Sequence, residues 1–314
     1  MPRVPPWTPD RWRDLPQNPL VSPPQGEGPG SVIADPQVVP PWEHDGRWHM
    51  YATGGGVLYH LVSDDGVRWE VAEALRWGAA TCFLLRWRGD WYMYYALIRE
   101  GEPRTVIAVR RSRDLKEWSE PVEVLRPELP WELEGPLAEA RNPCAVPVGG
   151  ELWLYYSAGT VLLEDAGYEE PKYVSVAFSS DPMGPFERLG EPLLRPDPRD
   201  RHRSLGAGAL KVYRYRGGYL GFNNGIYLDG EGRSRSAILL MASDDGLEWE
   251  GAPFNPIIYP TSGWKRALVY QLDVVFEPQP DGTCRVLLYY NARDGWRGGV
   301  ERIGCSVLEG AECP

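Results

Sequence analysis

The feature that most constrains this chain is a repeat. Four segments share a Ser-x-Asp turn followed by an aromatic: SDDGVRWE (Ser63–Glu70), SRDLKEWS (Ser112–Ser119), SSDPMGPFE (Ser179–Glu187) and SDDGLEWE (Ser243–Glu250). Asp and Gly favour a tight turn, and the Trp or Phe anchors the strand that leaves it. Each turn follows an apolar strand: VLYHLVS, TVIAVRRS, YVSVAFSS or SAILLMAS. Upstream lies a second repeat, an apolar strand, a bend and an aromatic-rich strand. Its five copies are Asp35–Thr53, Thr81–Ala96, Asn142–Gly159, Gly208–Asn224 and Leu272–Arg293, with HDG, RGD, GG, RGG or PDG at the bend. Such segments read as β-hairpins. A third element, VEVLRP, EPLLRP or NPIIYP, closes three units, and a fourth copy, NPLVSP (Asn18–Pro23), precedes the first hairpin.

Self-similarity at this period marks a radial array. Four strands per unit and five units, with no helical pattern, predict an all-β five-bladed β-propeller spanning residues 1–314 as one domain. The 35 Gly and 31 Pro interrupt the chain too often for long helices, while 14 Trp and 17 Tyr favour strands. The fifth hairpin is followed only by ERIGCSVLEG and a short tail, so that unit lacks an outer strand. Asn18–Pro23 is expected to supply it from the other end of the chain, which removes the open sheet edges. Two β-sandwiches would leave this orphan strand without a purpose.

Charge narrows the partner. With 33 basic and 44 acidic side chains the formal charge is −11 and the pI is near 5.0. Nucleic acid and anionic membrane both need a basic face, so neither is expected. The N-terminal residues lack the apolar core of a leader, and no apolar run approaches the roughly 18 residues of a membrane span. A soluble, cytoplasmic protein is expected. Five cysteines without a CxxC pair, and only four histidines, predict reduced buried thiols and no structural zinc site.

In a propeller the Ser-x-Asp turns share one rim, and the starts of the innermost strands open on the other. Those starts carry three carboxylates, Asp35, Glu139 and Asp273, together with Arg141, Asn142 and Gln271. Loops on that rim add Trp77, Trp131 and Trp264, and Asn223, Asn224, Asn291, Arg293 and Asp294. Indole faces beside carboxylates and amides suit a sugar ring, and a small carbohydrate is the expected partner. An indole can equally cap a blade end, and a carboxylate can equally satisfy turn N–H groups.

The segment IADPQVV (Ile33–Val39), followed by WHMYAT (Trp48–Thr53), resembles the first blade of the five-bladed glycosidases. These are glycoside hydrolase family 43, the arabinanases and β-xylosidases, and family 32, the invertases. The S-x-D-x-x-x-W turns are similar to theirs, and the resemblance covers nearly the whole chain. It implies that Asp35 is the base or nucleophile. The RNP of Arg141–Pro143 resembles the R-D-P of family 32, with Asn142 in place of the Asp. The fourth unit reads LGAGAL where those families place a Glu acid, and its nearest titratable group is His202.

Glycoside hydrolysis needs two carboxyls across the scissile bond. The residue types make Asp35 the base, Glu139 (or His202) the acid and Asp273 an orienting group, with inversion expected. One rival is a propeller that binds sugar without cleaving it, for which Asn142 and the acid-free fourth unit speak. Another is a phosphorolytic glycosidase using Arg201, His202 and Arg203 to hold phosphate. No cofactor is required, although Asp35, Asp273 and backbone carbonyls could hold a channel calcium.

Overall fold

A computed structural model describes residues 4–99, 101 and 104–314, and the repeat folds into strands almost throughout. Among the described residues the helical segments are three single 3₁₀ turns, Pro9–Arg11, Pro41–Glu43 and Gly263–Lys265. Among the described residues no helix is long and apolar enough to cross a membrane.

A short strand β1 (Arg13–Asp14) precedes the first unit, β2 (Ala34–Val39), β3 (Trp48–Gly54), β4 (Val57–Ser63) and β5 (Glu70–Leu75). The second unit is β6 (Ala79–Trp87), β7 (Asp90–Leu97), β8 (Arg104–Ser112) and β9 (Val122–Leu125). The third is β10 (Ala138–Val148), β11 (Glu151–Leu163), β12 (Tyr168–Ser179) and β13 (Glu187–Arg188). The fourth is β14 (Leu210–Tyr215), β15 (Gly218–Leu228), β16 (Ser234–Ser243) and β17 (Glu250–Gly251). The last comprises β18 (Leu268–Pro278), β19 (Cys284–Arg293) and β20 (Glu301–Ala311), with β1 as its fourth strand. Each unit is an antiparallel meander, and a short parallel pairing of β8 with β10 joins the second and third into one sheet.

The N-terminal segment does pair with the last strand. Arg13 and Asp14 lie opposite Val307 and Ser306, and Val21 bridges Ile303. The regular strand is thus a few residues upstream of Asn18–Pro23. Asn18 explains why Asn-Pro recurs. Its amide brackets Cys305, donating to the carbonyl at 2.8 Å and accepting the N–H at 2.9 Å. Asn255 brackets Leu240 in the same way, at 2.9 and 2.8 Å. A side-chain amide here replaces a missing pair of ladder bonds.

The Ser-x-Asp turns follow the chemistry read from sequence. Ser63 Oγ accepts the N–H groups of Asp65 and Gly66, and Asp65 Oδ1 accepts those of Val67 and Arg68. Ser112 with Asp114 and Ser243 with Asp245 repeat the arrangement. A buried tyrosine from the second strand of one unit reaches the turn of the next. Tyr51 donates to Leu115 O, Tyr94 to Pro182 O, Tyr155 to Gly246 O and Tyr289 to Gly66 O. Phe222 holds the equivalent position in the fourth unit and makes no such bond. The inner strands also pack in succession, β18 on β2, β2 on β6, β6 on β10 and β10 on β14.

The cysteines depart from expectation. Cys284 and Cys313 form a disulfide, while Cys82, Cys144 and Cys305 are buried thiols. Spacing alone could not reveal this pair. The register places Cys284 opposite Ala311, two residues from Cys313, and only the folded hairpin creates that proximity.

Candidate active site

Four inner strands lose register near their starts: between Ala34 and Gln37, Ala80 and Cys82, Arg141 and Cys144, and Val269 and Leu272. A bulge bends its strand and re-aims a side chain. In three of them the re-aimed residue has a left-handed backbone: Asp35 at φ 57°, Thr81 at 39° and Asn142 at 54°. The fourth unit has Gly208 at this place, at φ 59°, and a Cβ there would lie 1.9 Å from Asn224 O. A side chain at Gly208 would force the Asn224 carbonyl to move.

The bulged residues meet in a cavity of about 320 Å³. Asp35, Thr81, Asn142 and Gln271 come from the inner strands, and Glu139 and Arg141 flank Asn142. Asn224, Asn291 and Arg293 reach it from the second strands, and Tyr168, Glu169, Glu170 and Glu301 from the third strands. Thr53 Oγ1 donates to Asp35 Oδ2 at 2.7 Å, and Asn291 Oδ1 accepts the Asp35 N–H at 3.0 Å. Asn142 donates its backbone N–H to Thr81 Oγ1 at 2.9 Å and its amide to Ser157, while accepting from Gln271 Nε2 at 3.1 Å. The bulge N–H groups are thus satisfied by neighbouring units, which stiffens the strained backbone.

Burial acts on three of the cavity's carboxyls in the same direction. Burial raises the Asp35 pKa, against the opposing pull of the Thr53 bond and the charges of Arg141 and Lys211. Burial raises Glu170 to about 7; Arg141, 3.4 Å away, works against this, while Asp35 and Glu139 repel. Burial raises Glu301 to about 8, with Arg293 opposing and the charges of Asp35 and Glu170 adding. Asn291 Nδ2 also donates to Glu301. Glu139 sits 3.3 Å from Arg141. Among the described residues, Glu139 Oε2, Arg141 Nε and Arg293 Nε are buried without a hydrogen-bond partner.

Asp35, Glu139, Arg141, Asn142, Gln271 and Arg293, singled out in the sequence, therefore share one cavity. Asp273 does not. It lines a separate cavity at the other end of the inner strands, where its oxygens accept from Tyr213 OH, Val38 N, Val274 N and Gln37. Its role is to pin β18 to β2. With Asp273 so occupied, the donors for a channel calcium are not brought together. The buried Lys211 ammonium contacts the carbonyls of Cys82 and Pro143 and pulls on both Asp35 and Asp273. His202 lies in another cavity again, beside Arg199, Arg201 and Arg203, with its ring against Tyr227.

The three tryptophans cap the sheets. Trp77 packs on Tyr95 and Trp118 beneath the Arg110 guanidinium. Trp131 donates to Gly190 O at 3.0 Å, and Trp264 stacks on Tyr290. Asn223 turns to the carbonyls of Ala207 and Ala209, so its neighbour Asn224 lines the cavity instead. Glu170 and Glu301 escaped the sequence reading because they lie on third strands, whereas first-strand starts and the loops named with them were expected to face the ligand. The available signal was the length of the β11–β12 hairpin, paired out to Leu163 and Tyr168, which carries Glu170 over the cavity.

No protein-family profile and no curated protein matches the chain. Solved structures do. An N-acetylgalactosamine deacetylase from F. plautii, in complex with blood group B trisaccharide, superposes with a TM-score of 0.69 at 14% identity, covering 95% of each chain. A structure from the family 130 mannoside phosphorylases, described as containing hydrolases of β-1,2 mannosidic linkages in Candida mannan, gives 0.63 at 15% identity over 94% of this chain and 93% of that one. A thermostable family 43 glycoside hydrolase gives 0.59 at 17% identity over 90% and 95%. The chain shares its all-β fold with these carbohydrate-active proteins.

Proposed function

We propose that this chain is a single five-bladed propeller, closed by its N-terminal strand, that hydrolyses a glycosidic bond with inversion in the Asp35 cavity. The tyrosine links from each unit to the next turn, including Tyr289 to Gly66 across the chain ends, support the closed ring. One observation carries the activity. A bulge presents Asp35 to a cavity that it shares with Glu170, a carboxyl held protonated up to about pH 7. Acid–base hydrolysis requires two carboxyls, one of them protonated at working pH, and burial suits Glu170 to that part. Asp35 takes a proton from water as its oxygen bonds to the anomeric carbon. Glu170 gives a proton to the departing oxygen as the old bond breaks. Glu139, the acid expected from sequence, pairs with Arg141 and suits hydroxyl recognition, as do the unpartnered Arg141 and Arg293 Nε atoms.

The phosphorolytic reading loses ground because Arg201, His202 and Arg203 line a different cavity from Asp35. The sugar-binding reading retains one support: Asn142, at the Asp of R-D-P, has its amide fully engaged by Ser157 and Gln271. The Cys284–Cys313 disulfide speaks against the reducing cytoplasm expected from sequence. The deciding experiment is a panel of α- and β-aryl glycosides and oligosaccharides, with the product anomer followed by NMR and sugar binding by calorimetry. Turnover that Asp35→Asn abolishes supports hydrolysis. Binding without turnover on the whole panel supports the second reading.

A further inference from the structure

Three of the chain's four histidines gather on the first unit, away from the Asp35 cavity. His44 and Asp45 lie on the turn between β2 and β3, and His49 is on β3. One donor atom from each lies within 4.8 Å of the others. His49 Nε2 is 2.8 Å from Asp45 Oδ1, and its Nδ1 is 2.9 Å from His60 Nε2 on β4. The rings of His44 and His49 are 5.3 Å apart, and Tyr51 stacks on His60 at 4.6 Å.

We propose that His44, Asp45 and His49 form a binding site for a zinc-type divalent metal. This runs against the expectation, drawn from the cysteine spacing and so few histidines, that the chain has no structural zinc site. Two imidazoles and one carboxylate are donors that zinc accepts, whereas calcium and magnesium ask for oxygen alone. Zinc bonds of about 2.0–2.2 Å at tetrahedral angles place donors roughly 3.3–3.5 Å apart. His49 Nε2 and Asp45 Oδ1, at 2.8 Å, need part only by about half an ångström to reach that spacing, while His44, half-buried on the turn, moves inward.

The surroundings fit a ligand rather than a chance contact. A metal-binding histidine is oriented by a bond from its other nitrogen, and His60 offers that partner to His49. On binding, His49 Nε2 gives up to solvent any proton shared with Asp45, and its Nδ1–H donates to His60. The neighbouring cations are engaged elsewhere: Arg86 with Glu43 O and the face of Trp91, and the Arg47 guanidinium with Asp64. Three protein donors leave one position for water. The same turn carries Trp42 and Glu43 into the wall of the second cavity, so the metal would fix that wall.

The test uses the full chain, stripped with a chelator and titrated with zinc chloride against a chromophoric competitor. One zinc per chain is expected. His44→Gln and Asp45→Asn each lower the affinity at least about tenfold, within the 10–100-fold range typical when a metal site loses a supporting group. His202→Gln leaves it unchanged. Both test variants alter residues that are not fully buried, so folding is preserved, and circular dichroism verifies it. Zinc raises the melting temperature of the wild type but not of the double variant, because only a folded-state site stabilises by mass action. Failure of the wild type to bind zinc stoichiometrically, or unaltered affinity in both single variants, overturns the proposal.

Discussion

Thr53 holds Asp35 from the facing strand, donating a 2.7 Å hydrogen bond to a carboxyl whose backbone has been turned into the left-handed region. Such a conformation costs on the order of 1–3 kcal/mol for a residue other than glycine. The cost is met by neighbours on two sides: Thr53 on the carboxyl and Asn291, from the last unit, on the backbone N–H. Asp35 is therefore held by the first unit and the last.

Replacing Asp35 by Asn should abolish hydrolysis of aryl glycosides while sugar binding persists. The amide keeps the volume, and its oxygen can still accept from Thr53, but it cannot take a proton from water. General-base help is typically worth about 10²–10⁴-fold, a loss easily read in kcat. Full activity in this variant would place the chemistry elsewhere.

The pH profile separates the two candidate acids. Glu170 must be protonated to act, and burial holds its pKa at about 7, so kcat/KM should fall as pH rises through 7. Glu170→Gln should remove this alkaline limb and slow substrates with poor leaving groups far more than activated ones. Glu139→Gln should weaken binding and leave the limb in place. If the limb follows Glu139 instead, the acid is the one expected from sequence.

Glu301 makes stability depend on pH. Its pKa in the folded chain is about 8, above the ordinary 4.5, so between those values the folded state binds more protons than the unfolded one. Stability conferred by the protonated form is complete below about pH 4.5 and is lost as pH rises toward 8. Glu301→Gln keeps an oxygen and stays neutral. It should therefore raise the melting temperature relative to wild type at pH 8, and the difference should shrink at pH 5. A difference that is the same at both pH values would show that Glu301 is not titrating across this window.

The repeat made most of the architecture legible, because turn chemistry and two-residue alternation are local. Ser63, Asp65 and Gly66 announce their turn in eight residues of sequence. The site was legible where the bulges lie on first strands, at Asp35, Asn142 and Gln271. It was not legible where hairpin length decides, as at Glu170, or where one strand end meets another, as at Glu301. Asp273 misled because it lies on the same first strand as Gln271, yet two residues further along it serves the opposite cavity. The tryptophans misled because an indole that caps a sheet and one that stacks on a sugar have the same sequence signature.

Gly208 tests why the fourth unit carries no acid. Its φ is 59°, and an added Cβ would stand 1.9 Å from Asn224 O. The backbone cannot shift easily, since Ser157 Oγ donates to Gly208 O at 2.8 Å and Asn224 Oδ1 accepts the Ala209 N–H at 2.7 Å. Gly217 offers the control: its φ is 84°, and a Cβ there would meet nothing within 4 Å. Gly217→Ala should lose only the left-handed penalty, about 1–2 kcal/mol. Gly208→Ala should lose that and a further 1–3 kcal/mol or so for overpacking. Urea unfolding of the two variants reads the difference directly. Equal losses would mean that crowding does not keep a side chain out of the fourth unit, and that the absence of an acid there needs another cause.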